Sequence, residues 1–391
     1  MDDGADGFER ITVTASRQES LDTDLAMSVK GVGEEELALD NGQHVAESLN
    51  SISGVLIDQL SGGQGHKAAI RMPMNTGVYY LYLQDNIPLQ SAAFFNHNAL
   101  WWSSFNSNVA RMEVLKGADT ALYGSGAVAA TVNILSADVA DKPETSVDLM
   151  LGEDGYTKVQ ANHSNKLSNT QGVRVSGSYL NNDGWRDHTG SKRAEVTLRH
   201  ELDLGDNERL VTSFVASDLE QEMAAGLTEN LYENDVTNSG LSDAVLASDP
   251  LRKIKYMRLS TQWDKVDDNN FYSLIPYYRY RTNDYIANVR VRYMPAFLQG
   301  FTTMLEVQSI GEYCLDDANS QDGEGSDRKD DGYTIANLKA LYQISESLSI
   351  NARILNITDE KYVQEASYRY RKTKYSPGAP RTAYIGLNYQ F

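Results

Sequence analysis

No run of 18 or more apolar residues occurs in these 391 residues, so no segment can cross a membrane as a helix. Barrel strands leave only a weak ten-residue alternating trace, and the absence says nothing of them. Cysteine is nearly absent: Cys314 stands alone, which excludes an internal disulfide. No histidine is near it in sequence, and no nucleophile–base pattern occurs elsewhere, so the chain is not read as an enzyme. Positive charge is scarce too, with 35 Lys and Arg against 54 Asp and Glu, a net charge of −19. Nucleic acid needs a basic face and is excluded as a partner. The start, Met1-Asp2-Asp3, lacks the apolar core of a signal peptide, which reads as a mature form with an added Met, or as a fragment.

Cofactor signatures are likewise missing. The glycine-rich stretch GSGAVAAT has no Gly-Lys-Ser/Thr ending, and no GxGxxG opens a helix. Asp322, Glu324 and Asp327 lie in an acidic block, 316–332, but miss the spacing of an EF-hand loop. That block is read as solvated loop. No cofactor and no metal are expected.

What the chain does contain is a strand–loop–strand at 109–135, VARMEVLKGADTALYGSGAVAATVNIL. Gly117, Gly124 and Gly126 give the loop backbone freedom that a Cβ would deny. Residues 41–57 read as a helix and then a strand, with Val45, Leu49 and Ile52 on one helical face and Gly54 as the stop. In 78–90, Asp85-Asn86 reads as a hairpin turn.

From residue 145 onward the period becomes two, with turn residues between segments. Twelve strands are expected, centred near 148, 160, 175, 198, 213, 258, 276, 289, 306, 338, 352 and 386. Short turns at 165–172, 204–208 and 265–270 alternate with long connections at 181–192, 218–250, 316–332 and 359–380. Such parity is that of a barrel with short turns on one side. Tyrosine (23) far outnumbers phenylalanine (9) and gathers near strand ends, as an interfacial girdle would require.

The segment 109–135 closely resembles the closing motif of the plug domain in TonB-dependent outer-membrane receptors. Lys116, Gly117, Tyr123, Gly124 and Gly126 match the motif; Ala118 replaces its usual proline, and Ala129-Ala130 its glycine pair. VYYLYLQDNIPLQ at 78–90 and the blocks 308–313, 333–342, 353–362 and 377–391 resemble the family as well. The fold this implies is mainly β, an α+β plug followed by an antiparallel transmembrane β-barrel. Residues 1–8 would be a disordered N-terminus, 9–15 a TonB box, 16–140 the plug and 141–391 the barrel.

The resemblance also implies roles. Glu9, Ile11, Thr12, Val13, Thr14 and Ala15 would bind TonB by adding a strand to its sheet, with ExbB/ExbD as energy coupling. Outer-membrane lipid and lipopolysaccharide would surround the barrel, and Phe391 would be the terminal aromatic read by the barrel-assembly machinery. The ligand would be scarce and small, most simply a ferric siderophore. Candidates to touch it are Gln64, His66, Phe94, Phe95, His97, Trp101 and Trp102 near the plug apex, with Arg369 and Arg371 in the basic stretch YRYRKTK.

One feature strains the family pattern. Plugged outer-membrane transporters have about 22 strands, and a barrel of twelve would not hold a plug of this size. A deletion junction is expected between 281 and 290, where PYYRYRTNDY runs into VRVRYMP. Rival readings are a passive or structural barrel, such as a porin or adhesin, and an inactive truncated receptor.

Overall fold

The computed structural model describes residues 12–13, 20–21, 28–40, 44–60, 65–75, 79–89, 99–102, 107–117, 127–267, 270–282, 284–295, 297–311, 313–314, 329–345, 348–369, 372–377 and 380–389. The chain divides into two compact units, the first made of residues 1–59, 65–90 and 96–137 and the second of 138–391 with the short segments 60–64 and 91–95.

The first unit is a small α+β body. Strands β1 (Thr12–Val13) and β2 (Ser20–Leu21) pair with each other. A five-stranded sheet takes β3 (Ser28–Val32), then β6 (Tyr80–Gln84) and β7 (Ile87–Pro88). It is completed by β8 (Val109–Lys116) and β9 (Ala130–Ser136). Its order is β3-β8-β9-β6-β7, with only the β6–β9 pair parallel. Strands β4 (Val55–Leu60) and β5 (Gly65–Ile70) form a separate pair. Helices α1 (Glu34–Asp40), α2 (Val45–Leu49) and α3 (Ala99–Trp102) complete the unit.

Local sequence explains these elements. β6 reads YLYLQ without alternation and is buried along its whole length, as a strand covered on both faces must be. Asp85 (φ 52°) and Asn86 (φ 64°) both take the left-handed conformation between β6 and β7, the geometry of a type I′ hairpin turn. Gly54 (φ 75°) turns the chain between α2 and β4. Val45, Leu49, Ile52, Ile57, Ile70, Val114 and Ile134 meet in one apolar cluster.

The second unit is dominated by one antiparallel sheet of twelve strands, each neighbouring the next in chain order. They begin with β10 (Glu144–Leu151), β11 (Thr157–Lys166), β12 (Gln171–Asn182) and β13 (Ser191–Gly205). Next come β14 (Glu208–Glu222), β15 (Leu251–Asp267), β16 (Asn270–Arg281) and β17 (Asp284–Met294). β18 (Phe301–Ile310) follows, then β21 (Tyr333–Ser345), β22 (Leu348–Leu355) and β25 (Thr382–Tyr389). Every expected strand centre falls within one of these twelve. Two small pairs lie in the long connections, β19 (Tyr313–Cys314) with β20 (Lys329–Asp330), and β23 (Val363–Arg369) with β24 (Lys372–Pro377). The connection 223–250 also carries helices α4 (Glu229–Asn234) and α5 (Asp243–Leu246). Among the described residues no ladder joins β10 to β25, so each end strand has one neighbour. β10 is exposed accordingly, Val147 at 71%.

Candidate functional site

The sheet of the second unit inverts the usual order of inside and outside. In β17, Val289 and Val291 are 42% and 43% exposed, while Arg290 and Arg292 between them are 4% and 7%. The neighbouring strands repeat this. Leu259 is exposed beside buried Arg258, and Tyr278 and Tyr280 are exposed beside buried Tyr277, Arg279 and Arg281. In water such a surface would be unfavourable; with hydrocarbon outside and polar groups inside it is the expected alternation.

Aromatic residues pair near the short turns. Tyr272 stacks on Tyr293 across β16 and β17, ring centroids 5.0 Å apart, and Phe301 meets Tyr342 edge-on at 6.3 Å. The Arg292 guanidinium lies 4.5 Å over the Phe271 ring. Tyr333 and Tyr362 meet at 4.4 Å at the long-connection end, so aromatic pairs mark both ends of the strands, where rings suit a membrane–water boundary.

The polar face is rich in cations. Arg258 on β15 and Arg279 on β16 stand directly opposite, and Tyr256 stands opposite Arg281. Two neighbouring strands thus place three buried guanidinium groups on one face of the sheet. Further along, Glu306 on β18 accepts from Arg290 Nε at 2.8 Å and Nη2 at 2.6 Å, and from Lys339 Nζ at 3.4 Å. One carboxylate thus serves two buried cations.

These arginines were not among the expected ligand residues. Their signal lay in the strand period: VRVR and YYRYR alternate so that every arginine falls on one face. Of the residues expected near the apex, His66 and Trp101 are buried inside the first unit. His66 meets Tyr82 edge-on at 5.2 Å, and Trp101 stacks on His44 at 5.0 Å. They pack there without a face to solvent. Gln64, Phe94, Phe95, His97 and Arg371 lie outside the described residues, as do Tyr123, Gly124 and Gly126. Only the backbone is described at Trp102, in α3, and at Arg369, in β23. Of the TonB-box stretch, Thr12 and Val13 are described, paired as Thr12 with Leu21 and Val13 with Ser20. Glu9, Ile11, Thr14, Ala15 and the terminal Phe391 lie outside the described residues.

The motif loop begins at Lys116 and Gly117. Lys116 Nζ donates to Ser53 O. Partial burial lowers its pKa, and Arg71 and Lys30 nearby add to the shift. Gly117 has φ 145°, a conformation that side-chain-bearing residues rarely adopt.

Residues 22–131 match the family model of the TonB-dependent receptor plug domain. That segment is a plug domain of the TonB-dependent receptor type, and the match ends before the twelve-stranded sheet. A vitamin B12 transporter, BtuB of Vibrio vulnificus (strain CMCP6), is 25% identical over 180 residues, 45% of this chain and 28% of the relative. In structure the chain is similar to the unliganded ferric citrate transporter FecA, with TM-score 0.62 and 15% identity, covering 85% of this chain and 63% of FecA. Pyoverdine-bound FpvA of P. aeruginosa gives TM-score 0.64 at 14% identity, covering 97% of this chain and 56% of FpvA. These structures share the fold, and this chain spans 63% and 56% of their length and 28% of the BtuB relative. The relatives are transporters and receptors rather than enzymes, and proteins of this family reside in the Gram-negative outer membrane.

Proposed function

We propose that this chain takes up a scarce anionic ligand, most simply a ferric siderophore, across the outer membrane with TonB supplying the force. The observation that carries the reading is the inverted sheet, with apolar residues outside and Arg258, Arg279, Arg281, Arg290 and Arg292 buried on the other face. Cations gathered on a desolvated face attract anions far more strongly than the same charges in water. Binding is tested by titrating purified chain with a panel of ferric siderophores. Arg279→Met should weaken the accepted ligand by about tenfold or more, the scale of one charge-assisted bond or less. Unchanged affinity would remove the face from the reading.

The pairing of Thr12–Val13 with Ser20–Leu21 supports strand exchange at the box. TonB would replace the Ser20–Leu21 strand as the partner of the segment. Ligand binding need only shift that exchange equilibrium. Val13→Pro removes a backbone donor and should abolish uptake while leaving ligand binding intact; normal uptake of radiolabelled ferric complex would exclude this segment as the coupling strand.

A second reading has its own observation. The connection between β16 and β17 is the shortest on the long-loop side, with Arg281 paired directly to Asp284. That favours a receptor shortened at this turn, and a native messenger encoding the junction intact would exclude the shortening.

A further inference from the structure

The turn 183–190, between β12 and β13, is tied tightly to its neighbours. Gln221 Nε2 donates to Thr189 O and Gly190 O, both at 3.2 Å. Arg186 donates through Nε to Asn238 O at 2.7 Å and through Nη2 to Ser239 O at 2.9 Å. The Asp187 N–H donates to Thr237 O at 2.8 Å. This frame brings together three side chains from three segments: His188 in the turn, Glu222 at the end of β14, and Asp249 just before β15. A ring nitrogen and one oxygen of each carboxylate lie within 4.8 Å of one another.

The histidine is built in. Its side chain is 8% exposed, and Nε2 lies 3.0 Å from Pro250 O. A carbonyl can only accept, so Nε2 is the donor in that contact and Nδ1 is the nitrogen left to face the cluster. Nδ1 faces Glu222 Oε1 at 3.9 Å, too far for a hydrogen bond. Glu222 is 37% exposed at its side chain, and the gap between its oxygen and the ring nitrogen is of the size that one bridging cation spans. The other oxygen, Oε2, is held by the Gly190 N–H at 2.8 Å. A Cβ at Gly190 would come within 2.9 Å of that oxygen, so a larger residue would displace the carboxylate. Asp249, 75% exposed at its side chain, brings Oδ1 to 4.0 Å from Nε2 of the same ring.

We propose that His188, Glu222 and Asp249 bind a divalent transition-metal ion of the zinc type, stapling the 183–190 turn to the 223–250 connection. Zinc holds nitrogen and oxygen at about 2.0–2.2 Å, which sets tetrahedral ligand atoms roughly 3.4 Å apart. The observed 3.9 Å therefore closes by about half an ångström on binding. An imidazole with two carboxylates selects zinc-type ions over calcium and magnesium, which take oxygen alone. The Nε2–H on Pro250 O and the Gly190 N–H on Glu222 are the outer contacts that orient such ligands. Two carboxylates balance the charge of the ion, and water fills the fourth position.

The test uses the folded full chain in detergent, stripped with EDTA and titrated calorimetrically with ZnCl2. One equivalent should bind, and His188→Ala and Glu222→Gln should each weaken it by about tenfold or more, while His200→Ala leaves it unchanged. Zinc should also slow proteolytic cleavage within 223–250 in the wild type alone. Each variant is checked by its heat-dependent gel shift; should His188→Ala lose the fold, Glu222→Gln decides. No stoichiometric binding, or binding unaffected by these substitutions, overturns the proposal.

Discussion

Tyr82 and His44 are both buried, and their polar atoms do different work. The Tyr82 hydroxyl has no hydrogen-bond partner among the described residues, although the residue is fully buried. Burial pushes its pKa far up, with Tyr80 adding to the shift, so the phenol stays neutral in the folded state. An orphaned buried hydroxyl costs about 1–3 kcal/mol. Tyr82→Phe should therefore leave thermal stability unchanged or raise it, and a clear drop in Tm would reveal a bond to that oxygen. Because its folded pKa is raised, the wild type keeps its full stability below the ordinary tyrosine value of 10.0 and loses it as pH climbs beyond that. His44, by contrast, caps α2: Nδ1 accepts the Ala46 N–H at 2.9 Å, and Glu47 Oε1 accepts the His44 N–H at 3.0 Å. With the Trp101 stack added, His44→Ala should cost about 1–3 kcal/mol by denaturant titration. The cap was not legible in the sequence, because capping boxes are sought from serine and threonine. Trp101 was legible as an aromatic near the apex, but its burial against His44 depends on a contact across more than fifty residues.

At the scale of elements, the Glu306 cluster on β17, β18 and β21 is the most sensitive. Glu306→Gln would remove the shared carboxylate of Arg290 and Lys339, and both cations are buried. Breaking a buried pair on one side costs about 3–5 kcal/mol. The variant should lose folded sheet, read as a reduced heat-dependent gel shift, whereas Arg290→Met with Glu306→Met should lose less. The strands themselves were legible throughout, because a period of two survives in sequence wherever one face is apolar. The sidedness of each strand was legible too, since valine and arginine alternate strictly in 289–292. The proposed metal site was not. His188 is 34 residues from Glu222 and Asp249 a further 27, and only the tied turns bring them together.

For the whole molecule, membrane insertion is the measurable property. A sheet with apolar residues outward and aromatic pairs at both ends of its strands should fractionate with the outer membrane. Phe391→Ala should lower the amount inserted, and unchanged surface levels would remove the terminal aromatic from that step. Protein isolated from native outer membranes, measured by intact mass, should show whether the 391-residue chain is the species present.

The Arg281–Asp284 turn has a consequence for how such chains change over generations. β16 and β17 are antiparallel neighbours, and the sheet's first and last strands run in opposite directions. Whole hairpins could therefore be gained or lost at this turn without moving any other loop to the opposite side of the membrane. A single strand could not. The hairpin is thus the smallest unit by which descent could lengthen or shorten this sheet while every long loop keeps its side.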